Sequence, residues 1–378
     1  MNNTLYRAGI HLVPRLPVRL SGWTGKQPDP ALEKRIAAVL SRQRVRGGTL
    51  ALTDGQTISA ASFGTIRKDG SLPARPDVFF RAASVSKFVT ACAALTLARQ
   101  GKISLEEDIG EYLGFPVRNP HFEDIPVTLA MLLSHTSSIR DGESYLTSLS
   151  APPPFPDLLQ KDCFAKAAPG TQWDYSNLAA GIAGCVLEGA LQKPFDRIMR
   201  ETIFEPLNID ASFHPGRIGG TLSDAWRLLP PARQAGYYAA VRQRAVPKDE
   251  TIDLQMDYLL AHGSLCIRAG DLLALGQAAV RSEFFPEMRE KRASFGARDK
   301  TLSEGLGTFL YQEEGMAEPL YGHQGLAYGA VHGLFLNGRG EGFALLTSAA
   351  SEEREGVMTA LNISLCRLLF PDGRCRLW

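Results

Sequence analysis

The chain has no C-x-x-C pair, no Cys/His spacing of the structural-zinc kind and no long apolar run. Its six cysteines, Cys92, Cys163, Cys185, Cys266, Cys366 and Cys375, are scattered and mostly sit among apolar neighbours. They read as buried free thiols of a reducing compartment, not as a disulfide framework. The seven histidines do not cluster, which argues against a metal centre. An excess of either charge is also missing. Forty-one Lys and Arg against forty Asp and Glu leave a formal net charge of +1, which gives no reason to expect nucleic acid or a membrane as partner. In the first thirty residues, Pro14 and Pro17 break the only apolar candidate, and Arg7, Arg15 and Arg19 flank it. Neither a secretory signal nor a transmembrane span is expected, and the expected location is cytoplasmic. No internal repeat or low-complexity segment stands out, and no pattern specifies an oligomer.

What is present is ample core material: 44% of the 378 residues are hydrophobic and 21% charged. The length suggests two domains, or one domain with a large insertion. The most informative local feature is the pair Ser84 and Lys87, at the head of an apolar, helix-patterned segment. Residues three apart on a helix share a face, so the spacing brings an amine to a hydroxyl at a helix N-terminus. There the free N–H groups and the macrodipole favour developing negative charge. A serine hydroxyl needs an adjacent base, and a lysine serves only if burial or nearby cations drive off its proton.

Along the chain, residues 1–29 read as an irregular arm. A helix is expected over 30–46, with Pro30 in its first turn and Gly47-Gly48 stopping it. Residues 49–63 read as two strands around Asp54-Gly55. The Ser84 helix should run to about Arg99 and end at Gly101. Residues 101–260 are mostly helical in pattern, with loops at 150–154 and 214–220. A helix over 271–280, strands over 304–310, 320–323, 330–336 and 341–347, and a closing helix over 353–369 complete the reading. Strands from both ends of the chain should form one antiparallel sheet in an α/β (α+β) fold, flanked by N- and C-terminal helices with a mostly helical domain inserted. The domain expectation is an arm at 1–29, a sheet domain of 30–95 and 265–378, and a helical insertion of 96–264. The nucleophile would lie at the seam.

Two further motifs complete a constellation: Tyr175-Ser176-Asn177 before an apolar helix, and His323-Gln324-Gly325 on a late strand. With Ser84-Lys87 they resemble the penicillin-recognising serine hydrolase superfamily, in which S-x-x-K is an established motif. The nearest branch is that of class C β-lactamases, class VIII esterases and D-amino-acid peptidases. The resemblance runs from about Gly47 through the closing helix and implies a β-lactamase/transpeptidase-like fold. It also implies roles: Ser84 as nucleophile, Lys87 as its proton partner, and Tyr175 as general base and then proton donor, its phenol lowered by Lys87. Asn177 would bind substrate and the Lys87 network. The backbone N–H groups of Ser84 and Leu326 would form the oxyanion hole, and Gly325 would allow close approach of substrate.

What the resemblance implies about activity is a cofactor-free serine hydrolase forming an acyl-enzyme on small esters, amides or D-amino-acid peptides. The alternatives are a β-lactamase or DD-carboxypeptidase, and a catalytically weak binding or scaffold relative. One departure is notable. His323 stands where many β-lactamases and DD-peptidases carry lysine, so the position is only partly charged near neutrality and carboxylate-bearing β-lactams should be held less well. Other polar residues read as structural: Ser86 faces away from the pair, His135 stabilises a loop, and His332 packs on a strand. Trp173 fits a cleft wall and a core contact equally. Pro152-Pro153-Pro154 reads as a rigid loop, and Tyr237-Tyr238 as a weak candidate for shaping specificity.

Overall fold

The computed structural model describes residues 3–148, 154–159, 161–229, 252 and 257–377. Ser150–Pro153 and Tyr237-Tyr238 therefore lie outside the described residues. Within them, eight strands form one sheet in the order β2-β1-β10-β9-β8-β7-β6-β5. Every pairing is antiparallel. The strands are β1 (Gly47–Asp54), β2 (Ile58–Gly64), β5 (Ala293–Ser294), β6 (Leu302–Glu304), β7 (Phe309–Tyr311), β8 (Leu320–Ala327), β9 (Ala330–Leu336) and β10 (Glu341–Ala349). Strands from both ends of the chain thus meet at β1 and β10, as the pattern predicts.

Both sheet faces are covered, so the central strands are buried almost throughout. On one face, Leu50 and Leu52 of β1 and Phe343 and Leu345 of β10 pack with α2 (Pro30–Arg42) and the closing helix (Ala360–Leu369). On the other, Ala51, Ala344 and Leu346 meet a larger core built on the Ser84 helix, α3 (Val85–Arg99), and on the helix Ala269–Val280. Alternate residues of one strand serve opposite cores because successive side chains point to opposite faces. A short N-terminal helix, α1 (Asn3–Ile10), precedes α2. No helix among the described residues is long and apolar enough to cross a membrane.

Several boundaries differ from the sequence reading. α2 stops at Arg42, where Arg44 turns left-handed, and Gly47-Gly48 start a strand instead of only ending a helix. A Cβ on Gly47 would lie 2.0 Å from Thr65 O, so close strand approach is what requires glycine there. The single strand expected over 304–310 is two short strands, broken at Gly305–Thr308 where Gly307 has φ +63°. The closing helix begins at Ala360. Residues ahead of it form a hairpin, β11 (Arg354–Glu355) and β12 (Met358–Thr359), turned at Gly356 with φ +65°. The glycine turn thus replaces the first turns of the helix expected over 353–369.

Candidate active site

α3 is buried on nearly every side, and its first turn carries the lysine. The strand β3 (Phe80–Arg81), paired to β4 (Cys266–Ile267), leads into it. Between them Ala83 adopts φ +50°, a left-handed conformation costly for a residue with a Cβ. That sharp turn places Ser84 at the head of the helix, with its side chain not used as a cap and partly open to solvent.

Lys87 is 3% exposed. Its Nζ donates to Ser84 Oγ at 3.1 Å, Asn177 Oδ1 at 2.9 Å and His262 O at 2.7 Å. Burial is the main force on its pKa and pushes it down to about 7, against the pull of Asp141 and Glu304. Two of its three partners, a carbonyl and the amide oxygen of Asn177, can only accept. In the neutral amine those two take both hydrogens, and the lone pair is left for Ser84.

Asn177 opens the helix Asn177–Leu191, capped by Ser176, whose Oγ accepts from Ala179 N. The orientation of its amide is fixed by Asp141, which accepts from Asn177 Nδ2 at 2.8 Å, from Leu178 N at 3.0 Å and from Ser176 Oγ at 3.1 Å. Tyr175 lies two residues before Asn177. Its ring centroid is 5.0 Å from Lys87 Nζ and 4.4 Å from the His135 ring. Burial pushes the phenol up, Ser84 hydrogen-bonds to it and lowers it, and Glu304 and Asp141 raise it further. The resting phenol is therefore neutral, which departs from the expectation that Lys87 lowers it.

β8 brings His323, Gly325 and Leu326 alongside. Gly325 is needed by the chain's own backbone: a Cβ there would sit 2.3 Å from Ala82 O. Leu326 pairs with Val331, whose N and O both bond Thr347 Oγ1 on the β10 side. In an antiparallel ladder the partner's groups then point the opposite way, so the Leu326 N–H faces the edge left open by the short β7. His323 is 1% exposed and stacks on Phe309 at 4.3 Å. Its Nδ1 lies 2.6 Å from Gln324 O, and as a carbonyl only accepts, Nδ1 carries the proton. Burial, then the nearby Lys87, push its pKa down to about 3. The expectation of partial charge at His323 is thus corrected: the ring is neutral because it is buried.

The structural readings of other residues fit the geometry. His135 Nδ1 accepts from Ser176 N at 3.2 Å and ties the loop ahead of Tyr175. Ser86 Oγ accepts from Leu265 N, and His332 Nδ1 from Thr347 N, both buried. Trp173 is half-buried: it packs 4.1 Å from Phe295 and donates to Glu304 Oε2 at 3.3 Å. Three contributors had no sequence signal: the carboxylate of Asp141, the carbonyl of His262 and the carboxyl of Glu304. Glu304 is fully buried, has no partner on Oε1 among the described residues, and is pushed well above the usual carboxylate range by burial.

Comparison with known proteins agrees with this arrangement. The sequence model of the Beta-lactamase family matches residues 32–365. D-alanyl-D-alanine-carboxypeptidase/endopeptidase AmpH of Escherichia coli K12 is 29% identical over 175 residues, 45% of this chain and 46% of that relative, so the match spans about half of its length. Penicillin-binding protein 4 of Amycolatopsis lactamdurans is 26% identical over 374 residues, 90% of this chain and 89% of that one. The structure of D-amino acid amidase from Ochrobactrum anthropi SV3, complexed with D-phenylalanine, superposes with a TM-score of 0.66 at 20% identity, covering 90% of this chain and 98% of that one. That last likeness concerns the fold. The chain belongs to the Beta-lactamase family of serine hydrolases.

Proposed function

We propose that the protein acylates itself at Ser84 and hydrolyses small esters, amides or D-amino-acid peptides. The observation that carries this reading is Lys87: buried, 3.1 Å from Ser84 Oγ and pushed down to about 7. At neutral pH about half of it is a free amine, a competent base for a serine. Ser84 Oγ bonds to the substrate carbonyl carbon and its proton passes to Lys87 Nζ. The N–H groups of Ser84 and Leu326 hold the oxyanion. On collapse the bond to the leaving group breaks, and Tyr175 gives that group its proton and recovers one from Lys87. Water then attacks the acyl-enzyme by the reverse route. Tyr175 is the acid more than the base here, because its resting phenol is neutral. Neither metal nor cofactor is needed for these steps.

The site lies at the seam between a sheet domain (30–95 and 265–378) and a helical insertion (96–264). Six unpaired cysteines support a reducing, cytoplasmic setting. A scaffold or pure binding role has no use for a lysine held near neutrality. The test is incubation of the protein and its Ser84→Ala variant with a nitrophenyl ester, a D-alanyl anilide and a chromogenic cephalosporin, following product and intact mass. Adducts or turnover that depend on Ser84 support the reading. Turnover retained in a purified Ser84→Ala variant refutes it.

A further inference from the structure

We infer that residues 11–20, with the exposed face of α2, dock the protein on an anionic lipid surface. This stands apart from the acyl-enzyme reading. The net charge of +1 conceals an asymmetry along the chain. Residues 1–46 carry nine Lys and Arg against two Asp and Glu, a local charge of +7, which leaves −6 on the remainder. Arg15 and Arg19 ahead of α2, and Lys34, Arg35 and Arg42 on it, are all exposed. None of these five side chains makes an ion pair or hydrogen bond among the described residues. The two acids are engaged locally: Asp29 caps α2 by accepting from Ala31 N and Leu32 N, and Glu33 accepts from Gln27 Nε2. Lys34, Ala38 and Arg42 follow at four-residue spacing, so both cations share one solvent-facing side of the helix.

The segment ahead of α2 adds apolar surface to that charge. Leu12 is 86% exposed and Leu16 47%, more than any other large hydrophobic side chain among the described residues. The backbone builds this exposure in. Arg44 Nε donates to Val13 O at 2.9 Å, Arg46 Nη2 to Pro14 O at 3.0 Å, and Ser41 Oγ to Leu16 O at 2.7 Å. Further along, Ser21 and Ser62 exchange N–H to O bonds of 2.9 Å, which tie the segment to β2. Its carbonyls are thus bonded to the body of the protein, and Pro14 and Pro17 fix φ. Leu12, Arg15, Leu16 and Arg19 are left facing solvent.

Exposed leucines interleaved with arginines suit the boundary between headgroups and acyl chains. The leucines enter the apolar layer while the guanidiniums stay with the phosphates. A nucleic acid would use the cations and gain nothing from Leu12 and Leu16, so the leucines favour lipid. The segment is already held in place, so docking has little chain to order. Residues 1–31 lie ahead of the stretch matched by the family model, 32–365, so the leucines stand outside the part shared with the family.

The experiment is co-sedimentation of the full-length protein with vesicles of phosphatidylcholine alone or with one-third phosphatidylserine. The wild type should bind the anionic vesicles at about 0.1 M salt, bind the neutral ones far less, and come off at about 0.5 M salt. Each arginine neutralised near the surface should weaken binding about fivefold, so R15Q/R19Q and R35Q/R42Q should each lose about 25-fold. L12S/L16S keeps every charge and should lose at least tenfold. R374Q/R376Q, an exposed pair near the C-terminus, should bind as the wild type does. Thermal melts confirm that each variant is folded. No binding by the wild type, or equal binding to both vesicle types, would overturn the inference without touching the acyl-enzyme reading. So would loss in R15Q/R19Q with full binding in L12S/L16S, which marks a surface for any polyanion. Self-association that salt dissolves, with no vesicle binding, would assign the surface to a second copy of this chain and overturn it equally.

Discussion

Asp141 Oδ2 accepts the Asn177 amide at 2.8 Å, and this bond decides which end of Asn177 meets Lys87. A carboxylate can only accept, so Nδ2 faces Asp141 and Oδ1 faces the lysine. Asp141→Asn removes that constraint, because the new amide can donate as well as accept. Asn177 can then turn and present N–H to the amine. The expected result is a fall of about tenfold or more in kcat with little change in KM, as a hydrogen bond to a charged group is lost from the positioning of the base. Steady-state kinetics check it. A wild-type kcat in a folded variant would mean that Lys87 needs no such orientation.

The lysine also sets the pH dependence. Its pKa is lowered to about 7, so below that pH it holds a proton and cannot accept one from Ser84. kcat/KM should rise with pH, tenfold per unit at the acid end, and level off above about 7. The histidines do not compete for this limb: His262 and His323 are pushed down to about 3, and His135 lies well below its ordinary value. The resting phenol of Tyr175 is raised, so no second limb should appear between pH 7 and 9. A limb centred below pH 5.5 on a neutral ester would assign the base elsewhere.

Legibility in the sequence follows how local each relationship is. Ser84 and Lys87 are one helical turn apart, and Tyr175 and Asn177 share one loop and cap, so short spacing announces them. The sheet was equally readable, because alternating apolar strands at both chain ends need partners. Asp141 was not readable. It is a single acid in a loop and acquires meaning only when the chain folds it against residues 176–178. The His262 contribution is a backbone carbonyl, which any residue type supplies. Residues 353–359 run in sequence into the closing helix, and their hairpin depends on the single positive-φ turn at Gly356. The charge state of His323 depends on burial against Phe309, which no spacing encodes.

Gly325 offers a steric test of the oxyanion site. A Cβ there would meet Ala82 O at 2.3 Å and Ala83 Cβ at 3.2 Å, both on the tight turn ahead of Ser84. Neither contact is a flexible side-chain end, so Gly325→Ala must move β8 away from that turn. The Leu326 N–H moves with it. The expected outcome is a loss of at least tenfold in kcat, with about 1–3 kcal/mol of stability lost to overpacking. Thermal melts and kinetics read the two effects separately. Near-normal kcat would show that the Leu326 N–H does not take part in holding the oxyanion.

His323→Lys probes the same strand by charge. The native ring is neutral and buried, 6.5 Å from Tyr175 and stacked on Phe309. Where it keeps its proton, a lysine there sets a cation beside Lys87, and a like charge disfavours protonation. The acid limb of kcat/KM should therefore shift below about 7, by roughly half a unit or more. The same cation should lower KM for a carboxylate-bearing cephalosporin, an effect weakened by salt if it is electrostatic. Losing the aromatic stack and desolvating an ammonium will cost stability, so circular dichroism must first establish the fold. A folded variant with an unmoved limb and an unchanged KM would mean that position 323 sets neither the lysine's charge nor substrate choice. Selectivity would then rest on residues outside the third motif.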